Sequence, residues 1–186
     1  AVHKVEVPAD WATAVDDKKP VERTGRPATV KMVNELLDPI GKMDGDSLPV
    51  SAFADIADGQ FVTGASAYEK RGVAVDVPVW DVNKCIQCNQ CSYVCPHAAI
   101  RPVAMTEAEA AAAPEGMQYK DMTGMPGYKF AITISAYDCT GCGSCVNVCP
   151  DKIQAITMQN FEENESEQVY FDYGVSVPDK AEAVSY

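Results

Sequence analysis

Two stretches of the chain alternate strictly between apolar and other positions. Val73, Val75, Val77 and Val79 alternate with Ala74, Asp76, Pro78 and Trp80, and Phe130, Ile132 and Ile134 alternate with Ala131, Thr133 and Ser135. A period of two predicts strands. Short apolar stretches at 98–100 and 155–157 predict two more strands, so the middle of the chain holds two halves. Each half runs strand, loop, short helix, strand. Residues 27–38 predict a helix with Val30, Val33 and Leu37 on one stripe, stopped by Pro39 and Gly41. Thr106-Glu107-Ala108-Glu109 has the form of a capping box, Ala110 to Ala113 favour helix, and Pro114 ends it. Residues 115–127 are rich in Gly, Pro and Met and predict a loop. The last 27 residues show little periodicity apart from a candidate strand at 168–173.

Each predicted strand–helix half encloses a run of cysteines. The first run is Cys85-Ile86-Gln87-Cys88-Asn89-Gln90-Cys91, then Cys95-Pro96. The second is Cys139-Thr140-Gly141-Cys142-Gly143-Ser144-Cys145, then Cys149-Pro150. All eight Cys fall in these runs. Such tight clusters fit poorly with disulfide staples and point to metal binding in a reducing compartment. Both runs have the spacing C-x2-C-x2-C-x3-C-P of bacterial two-cluster ferredoxins, in which the fourth Cys of each run ligates the other cluster. Cluster one is therefore assigned to Cys85, Cys88, Cys91 and Cys149, and cluster two to Cys139, Cys142, Cys145 and Cys95. Both are [4Fe–4S]. The competing reading is two four-cysteine zinc sites, which are usually built from two separated C-x2-C halves. Gly141 and Gly143 let backbone N–H groups approach the sulfurs closely, whereas the first loop carries Gln87 and Asn89 there. The two clusters should therefore differ.

The expected class is α+β, a bacterial two-[4Fe–4S] ferredoxin-like fold with a pseudo-twofold internal repeat, an N-terminal connector and a C-terminal tail. The divisions are 1–76 as connector, 77–159 as the two-cluster domain with an insert at about 104–127, and 160–186 as an acidic tail. The insert reads as a cover over the site or a docking element. Among lesser candidates, Tyr93 and Tyr137 read as packing that excludes water, and Trp80 as a cap on the core. His97 reads as a polar residue after a turn, with donation to cluster two as the rival. His3 carries no signal.

The net charge is −12, with 27 acidic against 15 basic side chains. That balance excludes a nucleic-acid binder. No stretch has the apolar length of a membrane span, and no signal peptide is evident, so a cytoplasmic protein is expected. The missing initiator Met suggests processing or excision from a longer chain. There is no phosphate-binding loop, dinucleotide fingerprint or nucleophile elbow, so no catalytic residue is assigned.

Lys84 to Cys91, with Cys95-Pro96-His97-Ala98-Ala99-Ile100-Arg101-Pro102, resembles the ferredoxin-like domain of pyruvate:ferredoxin (flavodoxin) oxidoreductases. So does Asp138-Cys139-Thr140-Gly141-Cys142-Gly143-Ser144-Cys145 with Val148-Cys149-Pro150. Leu48-Pro49-Val50-Ser51-Ala52-Phe53 and Tyr68-Glu69-Lys70-Arg71-Gly72 resemble the segment preceding that domain. The resemblance implies a thiamine diphosphate enzyme that converts pyruvate and coenzyme A to acetyl-CoA and carbon dioxide. It implies three [4Fe–4S] clusters, two of them here, and ferredoxin or flavodoxin as acceptor. This chain has no Cys left for the third cluster and no thiamine motif. It is expected to be the electron-transfer portion, contacting other domains of the parent enzyme and turning over no pyruvate alone. Alternatives are a free-standing soluble ferredoxin or the same module from another 2-oxo acid oxidoreductase.

Overall fold

The computed structural model describes residues 4, 6–13 and 22–181; His3 lies outside them. The chain divides into two compact units, one through Glu69 and one from Lys70 onward.

The first unit is built on one helical rod. α1 (Pro27–Met32) runs through a wide π turn (Val33–Leu37) into α2 (Asp38–Gly41). Pro27 fits the first turn, where an N–H would have no partner. Pro39 was expected to stop the helix, yet the rod continues through it. A proline ring clashes with the carbonyl four residues back, and the widened turn, closed by Asp38 N–H to Val33 O, accommodates it. The buried stripe is Thr29, Met32, Val33 and Leu36, one residue round from the expected Val30–Val33–Leu37. Arg23 holds Asp38 in a two-pronged pair at 2.8 and 3.0 Å. The other elements are 3-10 turns at Ala9–Thr13, Gly45–Ser47, Val50–Ile56 and Ala65–Tyr68.

The second unit contains two sheets. β1 (Asp76–Trp80) pairs antiparallel with β5 (Ile156–Asn160). β2 (Ile100–Thr106) pairs antiparallel with β4 (Tyr128–Ile134), and the short β3 (Lys120–Asp121) adds to β4's other edge. Each main pairing joins a strand of one cysteine half to a strand of the other. The short helices α3 (Gln90–Tyr93) and α5 (Ser144–Val148) carry the third cysteine of each run, Cys91 and Cys145. Trp80, Ile100, Met105, Phe130, Ile132, Ile134 and Ile156 form the core, with Trp80 edge-on to Phe130 at 6.1 Å.

Three local expectations change. Val73 and Val75 are exposed and precede β1, in which adjacent Val77 and Pro78 are both buried. The alternation in β4 does not separate core from solvent either: Phe130 through Ile134 are all buried. The reason is the third change. The candidate strand at 168–173 lies inside α6 (Glu167–Ser176), which packs on the far face of β4. Gly174 permits the approach, since a Cβ there would sit 2.8 Å from Val103 Cγ2 and 3.0 Å from Thr133 Cγ2.

The insert begins as expected, with Thr106 and Glu109 capping α4 (Glu107–Ala111) reciprocally. Tyr173 donates to Glu109 O at 2.5 Å and Lys180 pairs with Glu109 at 2.9 Å, so the tail is fastened to the insert. Among the described residues no helix is long and apolar enough to cross a membrane.

Candidate metal centres

The two cysteine loops fold to the same backbone plan. Gln87 and Asn89 have φ of 61° and 59°, and Gly141 and Gly143 have 69° and 72°. All four sit in the left-handed region, which glycine enters freely and other residues at a cost. This turn wraps amide groups toward the first sulfur of each run. Gln87 N–H donates to Cys85 Sγ at 3.4 Å, and Gly141 N–H to Cys139 Sγ at 3.3 Å. The fourth cysteines are treated alike: Ala99 N–H reaches Cys95 Sγ and Ala155 N–H reaches Cys149 Sγ, both at 3.3 Å. Gly141 therefore brings the backbone barely closer than Gln87 does. Space is also tight at Gly141, because a Cβ would meet Asp76 O at 3.3 Å.

Two cavities lie behind these loops. The first is lined by Cys85, Cys88 and Cys91 of the first run and by Cys149 of the second, with Trp80, Ile132 and Ile156 as apolar walls. The other is lined by Cys139, Cys142 and Cys145 together with Cys95, against Ile100 and Met158. Each expected set of four thus surrounds one cavity.

The donor chemistry fits a cluster better than an ion. A tetrahedral zinc needs four sulfurs about 2.3 Å from one point. Among the described residues, no three His, Cys, Asp or Glu side chains converge as a single ion requires. Four thiols spread around an apolar cavity match a cubane, with one thiolate on each iron. All eight thiols are free of disulfides. Burial pushes Cys91 up to about 12 and Cys145 up to about 11, and it raises Cys139. The Ser144 hydroxyl beside Cys142, 3.5 Å from its sulfur, lowers that thiol. Buried thiols that hold their protons lose them on metal binding, because only the thiolate ligates.

The lesser candidates separate. Tyr93 is 85% exposed and packs on nothing that would exclude water, because α3 turns it outward. Tyr137 packs edge-on to Phe161 at 5.3 Å, with its hydroxyl on Glu165. His97 is exposed at the rim of the second cavity. Trp80 is both a core residue and a wall of the first cavity, and its buried Nε1 has no hydrogen-bond partner.

Several contributors carry no signal in the sequence spacing. Gln87 Nε2 donates to Asp121 O at 2.7 Å, and Thr123 N–H donates to Gln87 Oε1 at 2.8 Å, which fixes the insert to the first loop. Lys120 Nζ donates to Val82 O and Cys85 O, both at 3.0 Å. Beside the second loop, Lys70 pairs with Asp138, which also accepts from Ser135 Oγ at 2.6 Å. Burial would raise the Asp138 carboxyl, but Lys70 and Ser135 outweigh it and hold the group low.

Residues 84–153 match the family model of the 4Fe-4S dicluster domain, and residues 16–74 match the model EKR, a domain of unknown function. A pyruvate-flavodoxin oxidoreductase of Enterobacter agglomerans is 46% identical over 181 residues, covering 97% of this chain and 15% of its own length. A pyruvate:ferredoxin oxidoreductase of Moorella thermoacetica is 44% identical over 96% of this chain and 15% of its own length. A pyruvate dehydrogenase [NADP(+)] of Cryptosporidium parvum is 44% identical over 82% of this chain and 8% of its own. The chain therefore spans about a seventh of the first two relatives.

Proposed function

The chain carries the 4Fe–4S dicluster domain of the pyruvate-flavodoxin/ferredoxin oxidoreductases, and from that premise we propose an electron relay with two [4Fe–4S] clusters. Cys85, Cys88, Cys91 and Cys149 hold one, and Cys139, Cys142, Cys145 and Cys95 hold the other. The observation that carries this reading is the make-up of the cavities: each is lined by three thiols of one run and the fourth of the other. The matching left-handed turns and N–H to sulfur bonds support a pseudo-twofold relation between the halves.

When bound, each cluster supplies one-electron storage. The protein positions four thiolates and donates two backbone N–H groups to the sulfurs at each cavity. Apolar walls limit water on the inner side of each cavity, and the two sheets carry the cavities. The relatives' names support pyruvate as the source of the electrons in the parent reaction, and flavodoxin or ferredoxin as acceptor. Thiamine diphosphate and the third cluster belong to other domains, so this chain alone forms no acetyl-CoA. Eight free thiols suit a reducing cytoplasm.

The test is elemental analysis of the purified chain with EPR of its reduced form. About eight iron and eight sulfide, with two interacting signals, are expected. About two zinc ions, one per four-cysteine site, would overturn the reading.

A further inference from the structure

The backbone treats the two cavities equally. Each receives two N–H to sulfur bonds of 3.3–3.4 Å. The side chains do not. Lys120 is half-buried, and its ammonium is held by the carbonyls of Val82 and of Cys85, itself a thiol of the first cavity. Among the described residues no carboxylate pairs with it. Its backbone is fixed twice, by the pairing of Lys120 with Phe130 and by the Gln87 side chain clamped to Asp121 and Thr123. Beside the second loop, Lys70 is paired with Asp138, so its charge is cancelled, and Arg101 is exposed. Asp81 and Lys84, beside the first loop, also cancel. His97 at the second rim is exposed and faces water.

A second difference has the same sign. Trp80 is 7% exposed, lines the first cavity, and has an Nε1–H without an acceptor. An indole N–H can only donate. Three contributions oppose these: the Ser144 hydroxyl, 3.5 Å from Cys142 Sγ at the second cavity, Arg101, which donates to Ala98 O at 3.3 Å near that cavity, and the buried Asn89 Oδ1, an acceptor without a partner at the first. Ser144 and Asn89 are neutral dipoles, and Arg101 is exposed and screened by water, whereas Lys120 brings a half-buried charge without a carboxylate partner.

We propose that Lys120, with Trp80 as a lesser contributor, makes the first cavity the preferred place for an added electron, so that its cluster is reduced before the one in the second. This rests on the reading that both cavities hold [4Fe–4S] clusters. Reduction adds one electron from a low-potential one-electron reductant to an already negative group, with no bond broken and no proton moved. A fixed neighbouring cation stabilises the more negative state.

The experiment is a dithionite titration of the full chain monitored by EPR, with iron counted in every variant. Cys88→Ser, which alters the signal of the first-cavity cluster, identifies which signal is which. In the unsubstituted chain that signal should be the first to be reduced. Lys120→Met should lower its reduced-to-oxidised ratio about tenfold at a fixed potential, about 59 mV for one electron, and leave the other cluster unmoved. Lys120→Arg should restore it, and Trp80→Phe should give a smaller shift of the same sign. Lys120→Gln removes the charge but keeps an N–H donor, so it answers the question if the Met variant loads poorly. A first reduction at the second cavity, a shift confined to the second cluster, or no shift with eight irons present overturns the inference alone. A chain that binds no iron overturns the reading beneath it.

Discussion

The first and second cysteine loops have the same spacing, the same left-handed turns and the same bonds to sulfur, yet they are supported by different parts of the chain. The first is braced by the insert, through Gln87 and Lys120. The second is braced by the segment around α6. Gln168 Oε1 lies 2.9 Å from Ser135 Oγ, whose single hydroxyl hydrogen it shares with Asp138, and accepts from Tyr137 N–H at 3.3 Å, just before Cys139. The repeated parts set which atoms can ligate. The unrepeated parts decide the environment in which they do so. Loops of equal geometry can therefore serve two sites of unequal chemistry.

The most severe break in this comparison is at the shared ligands. Cys149→Ser, in the second run, should disturb the cluster of the first cavity and leave the second intact. EPR of the reduced protein checks this, and a disturbance confined to the second cluster would refute the crossed assignment. Gly174→Ala should act on the second loop's support more than on the first's. The added methyl meets Val103 and Thr133 at 2.8–3.0 Å, and overpacking of this kind costs about 1–3 kcal/mol. It should appear in urea unfolding and in faster hydrogen exchange at the Tyr137 amide, with a smaller change at the Thr123 amide beside the first loop.

Gly141→Ala and Gly143→Ala sharpen the contrast within one loop. Both force a side chain into the left-handed region, at about 1–2 kcal/mol. Gly143 has open space around it, whereas Gly141 faces Asp76 O. Gly141→Ala should therefore be the more destabilising, read as earlier loss of cluster absorbance in urea. Equal losses would mean that conformation alone sets the glycine at 141.

The smallest effect concerns the start of α6. Burial pushes the Glu167 carboxyl up to about 7. The folded chain then holds a proton that the unfolded chain releases near the ordinary carboxylate value of about 4.3. This contribution to stability falls as pH rises from there to about 7, and is flat above. Glu167→Gln should flatten that fall, seen as urea midpoints at pH 5 and pH 8 that differ less than in the parent chain.

The three thiols that each run brings to one cavity were legible because their spacing is local, the fourth came from the repeat of that spacing in the other run, and the capping box at Thr106 was legible because all its parts lie within four residues. Other features depended on contacts distant in sequence. Residues 168–173 mix Tyr, Phe and Val with polar residues in a way that suits a strand. They form a helix because Phe171 and Gly174 meet the sheet while Gln168 satisfies Ser135. With α6 in place, β4 is covered on both faces, and its alternation stops marking the boundary with water. In the first unit the buried Thr29, Met32, Val33 and Leu36 keep ordinary helical spacing, so the wide turn at Val33–Leu37 does not account for their offset from Val30 and Leu37. Lys120 was invisible because nothing in its neighbourhood announces a carbonyl contact 35 residues away.

The pairing of β1 with β5 has a consequence for how such a unit is carried. Asp76 and Asn160 are register partners, so the polypeptide enters and leaves this sheet at nearly one point, with opposed Cα atoms about 5 Å apart. The stretch between them, with all eight thiols, is a stem closed at its base. A longer chain can accept such a stem as an insertion, because its own path resumes one strand spacing from where it was interrupted.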